Sequence, residues 1–101
     1  MIRWADKLYL GESIESRKKK VMKSVENGKL TFAVFCITYA SNPDNLLDII
    51  DANELSFPYY QKKEMYIIGL AGSKSEAREL VRGMMEEIYR ETGGFLVREY
   101  F

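Results

Sequence analysis

The sequence predicts an α+β fold of the ferredoxin-like, split βαβ kind, with a short helical insertion between its second and third strands. Two observations carry this. The first is the order of segments: strand, helix, strand, a short helix, then strand, helix, strand again. The second is a faint internal repeat. "LGESIESRKKKV" and "LAGSKSEARELV" both place glycine after a strand, then serine, then glutamate and arginine two residues apart, so that Gly11, Glu15 and Arg17 correspond to Gly72, Glu76 and Arg78. The alternative is a small three-layer α/β sheet with helices on both faces, the middle helix acting as a crossover.

Each element has a local reason. "KLYLG", Lys7–Gly11, alternates apolar and polar and reads as a short strand. "SIESRKKKVMKSVENG" reads as one helix with Ser13 as its N-cap and Asn27-Gly28 as a left-handed exit, its apolar side formed by Ile14, Val21, Met22 and Val25. "KLTFAVFCITYA" is β-branched and aromatic, the strongest strand. In "SNPDNLLDIIDANEL", Asn42 reads as an N-cap and Pro43 as the first helical residue, which predicts a short helix over Pro43–Ala52. "SFPYYQKK" reads as a loop and "EMYIIGLA" as a second strong strand. "SKSEARELVRGMMEEIYRETGG" is the clearest helix: Ser73 and Glu76 form an S-x-x-E capping box, Ala77, Leu80, Val81, Met84 and Ile88 share one stripe, and Gly93-Gly94 end it. "FLVREYF" reads as a closing strand.

The chain of 101 residues reads as a single domain, 1–101, with 47% apolar and 30% charged residues, enough to bury a core without disulfides. One cysteine, Cys36, excludes an internal disulfide and any multi-cysteine zinc site. The absence of histidine removes the usual general base and every Ser–His or Cys–His catalytic arrangement. No apolar stretch reaches the ~18 residues of a membrane span, and "MIRWADK" does not begin a signal peptide, so a cytoplasmic protein is expected, with no membrane partner. Net charge is zero but lopsided: residues 1–40 hold eight Lys/Arg against four Asp/Glu, residues 41–101 seven against eleven. A neutral whole argues against general nucleic-acid affinity.

Few segments point to chemistry. "IIGLAGSKSEARELV" has the grammar of a phosphate loop, which makes Gly72, Ser73 and Lys74 candidate ligands for a small anion. The loop is nevertheless shorter than G-x-x-x-x-G-K-[ST], and the capping box accounts for Ser73 and Glu76 without a ligand. "RKKK", Arg17–Lys20, does not share one helical face, since successive residues turn by about 100°. "YYQKK" offers aromatic and basic groups for base stacking, but "EMYIIGLA" lacks the aromatic strand motif of ferredoxin-like RNA binders, so no nucleic-acid partner is expected. Asp44, Asp48 and Asp51 lie at i, i+4 and i+7 of the expected middle helix. The row reads as a solvated face, a contact for the basic helix of another copy, or a site for a hard cation. Cys36 reads as a buried, inert thiol. No cofactor is implied, and no spacing points to lysine or carboxylate catalysis.

The segments "SNPDNLLDII…EL…YY", "YIIGLA" and "VREYF" resemble a small group of bacterial proteins of about this length that have no assigned activity. The resemblance implies a bacterial cytoplasmic origin and carries no catalytic or ligand residues across.

Three function classes follow: a small interaction or regulatory module acting as a homo-oligomer, a binder of a small anionic metabolite at the glycine turns, or an enzyme using carboxylate or lysine chemistry. The first is favoured because both strong strands are apolar on both sides. With helices on only one face of a ferredoxin-like sheet, Tyr9, Phe35, Ile37, Tyr66 and Ile68 would lie on an open face that a second copy must cover.

Overall fold

The structure is a computed structural model, and it describes residues 2–28, 33–39 and 47–94, without the side chains of residues 56 and 61. Strand β1 spans Ile2–Leu10, helix α1 Glu12–Glu15, helix α2 Lys18–Glu26, strand β2 Phe35–Tyr39 and strand β3 Leu47–Asp51. A 3-10 helix, Ala52–Ser56, leads to the one-turn helix α3, Pro58–Gln61, then strand β4, Met65–Ala71, and helix α4, Lys74–Thr92. The expected closing strand "FLVREYF" lies outside the described residues.

The chain is α+β: four strands form one mixed sheet in the order β1-β4-β2-β3. β1 runs parallel to β4, while β2 is antiparallel to both β4 and β3. The ferredoxin-like expectation required neighbours that alternate in direction, and the parallel β1–β4 pair departs from it. Helices also lie on both faces. Cys36, Ile67 and Leu70 pack with Ile14 of α1 and Val21 and Val25 of α2. Ile37 and Ile68 pack with Met84 of α4 on the opposite side. This is the layering of the three-layer alternative, but α4 rather than a middle helix supplies the third layer.

The register explains how Ile67 and Leu70 reach the same face although an odd number of steps separates them. Ile37 pairs Gly69 while Thr38 pairs Ile67, so Ile68 is an extra residue and the pleat inverts there. On the other side of β4, Trp4 pairs Ile67 and Tyr9 pairs Gly69, leaving a longer bulge in β1. Gly69 sits where these irregularities meet. A Cβ there would press on the backbone oxygen of Tyr9 and on Ile37 and Met84.

Local expectations were met unevenly. Ser73 caps α4 by accepting from the Glu76 amide at 3.0 Å, and Gly93 closes it in the left-handed conformation (φ 75°). The expected single helix after β1 is two, because Arg17 leaves helical geometry (φ −125°, ψ 25°), and the N-cap of α1 is Gly11 rather than Ser13. The expected helix Pro43–Ala52 is a strand over Leu47–Asp51, since β2 offers an edge that pairs every residue from Phe35↔Asp51 to Tyr39↔Leu47. Ala33 takes a positive φ of 53° just before β2, so the regular strand begins after it.

Candidate functional site

The glycine turns, singled out by the sequence, lie at one end of the sheet. The two copies of the repeat meet at the C-terminal end of β4, and one carboxylate joins them. Glu76 Oε1 accepts from the Ser13 hydroxyl and from the Gly72 amide, both at 2.7 Å, and Oε2 accepts from the Ser13 amide at 3.4 Å. The Gly11 amide donates to the Leu70 carbonyl at 2.8 Å, which holds the first turn against β4. Both glycines are needed for this approach: a Cβ on Gly11 would run into the Glu76 carboxylate, and one on Gly72 into the Ser13 hydroxyl.

This arrangement has the donors of an anion cradle, and the chain supplies the anion. Of the candidate ligands, Gly72 gives its N–H to Glu76, the Ser73 hydroxyl receives the Glu76 N–H, and Lys74 is exposed at the start of α4. The Ser13 hydroxyl, then the Gly72 amide, hold the Glu76 carboxyl below its ordinary range, with the Arg17 charge adding to the effect. A second anion would meet a carboxylate already seated.

The aspartate row does not form. Asp44 lies outside the described residues. Asp48 and Asp51 are an odd number of positions apart on a strand, so they point to opposite faces. Asp51 accepts from the Asn53 amide at 2.9 Å and starts the 3-10 helix. Among the described residues no group of three carboxylate, thiol or imidazole side chains is placed to hold a metal ion.

The residues expected at a dimer face do share one face, but α4 covers it. Ile37 and Ile68 are fully buried beneath Met84, and Tyr9 donates to Glu87 of α4 at 2.7 Å. Tyr66 stacks on Tyr39, ring centroids 5.2 Å apart, and Phe35 is half-buried. The face that was to need a second copy is closed within the chain. Cys36 is buried as expected, and burial, with Asp51 nearby, pushes its thiol up to about 12, which favours the neutral thiol.

What the sequence reading passed over is a cleft at the opposite, N-terminal end of β4. Its floor is Thr38, Asp48, Ile50 and Met65, its wall is Tyr59, Tyr60 and Lys63 around α3, and Glu64, Tyr39 and Tyr66 border it. Thr38 and Asp48 are direct cross-strand partners. Pro58 at the first helical position and the Tyr60 N–H donating to the Phe57 carbonyl at 3.0 Å form the turn that stands the tyrosines up. Tyr59 and Tyr60 meet edge to face, 5.0 Å apart at 86°. The Lys63 ammonium donates to the Tyr59 hydroxyl at 2.6 Å. Glu64 is drawn outward by Arg3 at 2.8 Å. The sequence signal was Phe57-Pro58, which marks the start of a helix, followed by "YYQKK".

Among the described residues no helix is long and apolar enough to cross a membrane. In comparisons with protein families, curated proteins and solved structures, nothing matches this chain.

Proposed function

We propose that the chain is a small cytoplasmic interaction module that works as a homodimer, and that its copies meet through the outer edge of β3. The supporting observation is that, among the described residues, β3 pairs only with β2, so no described strand lines its other side. An open edge is a template for another strand. The charge pattern disfavours some registers and allows one centred on the strand's middle residue. In an antiparallel pair of β3 strands centred on Ile49, Ile49 faces its own copy, Asp48 faces Ile50 and Asp51 faces Leu47, so no carboxylate opposes another. Centring the pair on Asp48 instead sets that carboxylate opposite its own copy. The long outer edge of β1 is less suited, being bulged and carrying Arg3, Asp6 and Lys7.

A five-residue pairing is small, and the dimer is expected to be weak, with Kd on the order of 10–100 µM. Light scattering coupled to size exclusion tests association directly. A strict monomer at about 500 µM, well above that Kd, refutes the reading. Cysteine cross-linking tests the register. Directly opposed Cα atoms in an antiparallel pair are about 4.5–5.5 Å apart, within disulfide range. Oxidised Ile49→Cys should therefore trap a covalent dimer. Asp48→Cys, whose copies are offset, should not. Cys36 is buried and does not compete.

A further inference from the structure

Helix α4 has two flanks, and the sheet order turns each toward a different edge. Glu87 accepts from Lys7 and Tyr9 of β1, so its flank faces β1. Met85 and Tyr89 are each two residues from Glu87, about 200° around the helix, and so stand on the opposite flank. With the strand order β1-β4-β2-β3, that flank faces the β3 edge. Val81 and Met85 are half-buried there and share an apolar cluster with Leu47 and Ile49 of β3. Tyr89 is exposed, a large ring left at the surface beside them.

We propose that this flank of α4 is the second layer of the homodimer, with Met85 packed on the partner's Met85 and a Tyr89 ring closing the cluster at each end, above the paired Ile49 side chains. The inference rests on the pairing through β3. Five strand residues bury less surface than a stable interface needs, so that pairing calls for a further contact. A two-fold axis between antiparallel neighbouring strands stands perpendicular to the sheet. Both copies of α4 therefore lie on the same face, one on each side of the axis.

The level of each residue along the strands selects the contact. Met84 sits over Gly69, where an added Cβ would lie 3.0 Å from its methyl carbon. Gly69 pairs with Ile37, and Ile37 with Ile49, the centre of the proposed strand pair. Met85 thus stands level with the axis, and a residue at that level meets its own copy. Tyr89 lies one turn further along, so the two rings fall on either side of the methionines. The spacing also fits. α4 lies against β4, β2 and β3. Centred over β2, the two helices are three strand spacings apart, roughly 14 Å. That exceeds the ~8–10 Å of directly packed helices, so long side chains must fill the gap, as methionine and tyrosine can. The exposed Arg82–Glu86 pair, 3.5 Å apart, borders the flank as a polar rim.

Cross-linking with a short bismaleimide tests this, read beside the Ile49→Cys disulfide. Buried Cys36 does not compete. Met85→Cys and Tyr89→Cys are each expected to give a covalent dimer. Gly83→Cys, one turn before Glu87 on the flank toward β1, is not, and the new side chain has room there. Tyr89→Ala is expected to raise the dimer Kd about tenfold by light scattering on dilution, equivalent to about 1.4 kcal/mol, and to leave the urea midpoint of the dilute monomer in place. If Ile49→Cys forms a disulfide dimer but neither helix cysteine cross-links, the α4 contact is overturned and the strand pairing stands. An unchanged Kd for Tyr89→Ala overturns it in the same way. If Ile49→Cys does not form a dimer, the strand pairing fails and the α4 contact with it.

Discussion

At the C-terminal end of β4 three donors close on the Glu76 carboxylate. At its N-terminal end a carboxylate, an ammonium and two tyrosines stand around an open space. Both regions follow a turn, and both mix hydroxyl, backbone and charged groups. The difference is whether the polar groups converge on one atom group, as they do on the Glu76 carboxylate, or line a cleft. At the Glu76 junction the hydrogen bonds join α1 to α4 across the sheet end, and the site acts as a fastening. At the tyrosine cleft the groups are carried by short elements, the one-turn helix α3 and the five-residue strand β3. A phosphate-like sequence therefore marks structure here.

Substitutions at the two ends should separate these roles. The largest effect is expected for Gly11→Ala. Its new methyl group displaces the Glu76 carboxylate from its donors, and overpacking of this kind costs about 1–3 kcal/mol, measured by urea unfolding. Unchanged stability would falsify the fixed position assigned to that carboxylate. Next is Ser73→Ala, which removes the acceptor for the Glu76 amide and should cost about 1 kcal/mol.

Glu76→Gln follows, at somewhat less than about 1 kcal/mol near neutral pH, because solvent reaches the site. Its signature is pH dependence. The Glu76 pKa is lowered on folding, so the unfolded chain binds the proton more readily. The stabilisation is therefore complete above the ordinary carboxyl value of 4.5 and disappears as pH falls through the lower, folded value. Melting curves of the two proteins should converge on acidification below that value. A gap constant down to the acid transition argues for a purely steric role.

The smallest effect is expected at the cleft. Tyr59 is 57% exposed, and Tyr59→Ala should leave stability within about 0.5 kcal/mol by the same urea assay. A loss above about 2 kcal/mol, the range of core truncations, would make the tyrosine wall part of the core and erase the contrast.

What could be read from sequence was local. The S-x-x-E box and Gly93 fixed α4 because caps act within a few residues. The alternation of β2 and β4 revealed that both faces are apolar. What covers the second face depends on the path of α4 over the sheet, which no short window contains. β3 was misread for a physical reason: Leu46, Leu47, Ile49 and Ile50 fit a helical stripe as well as a strand, and Pro43 favours a helix start. Pairing with β2 decided it. The half of the Glu76 junction inside the capping box was legible; the half that reaches Ser13 was not. The tyrosine cleft was missed because its floor and wall come from three separate segments.

β4 is the only strand, among those described, that touches both β1 and β2, and it follows them in the chain. During synthesis the first half therefore emerges without the element that unites it. The contact between Ser13 and Glu76 spans 63 positions, and closure of so long a loop comes late and slows folding. At ~5–20 residues per second, translating about 60 residues leaves Trp4, Ile14 and Val21 without their final neighbours for ~3–12 s. The exposed lysines of α2 ride on that waiting segment and keep it charged while it is incomplete. A chain divided between α3 and β4 should yield two fragments that stay unfolded apart and regain structure only when mixed.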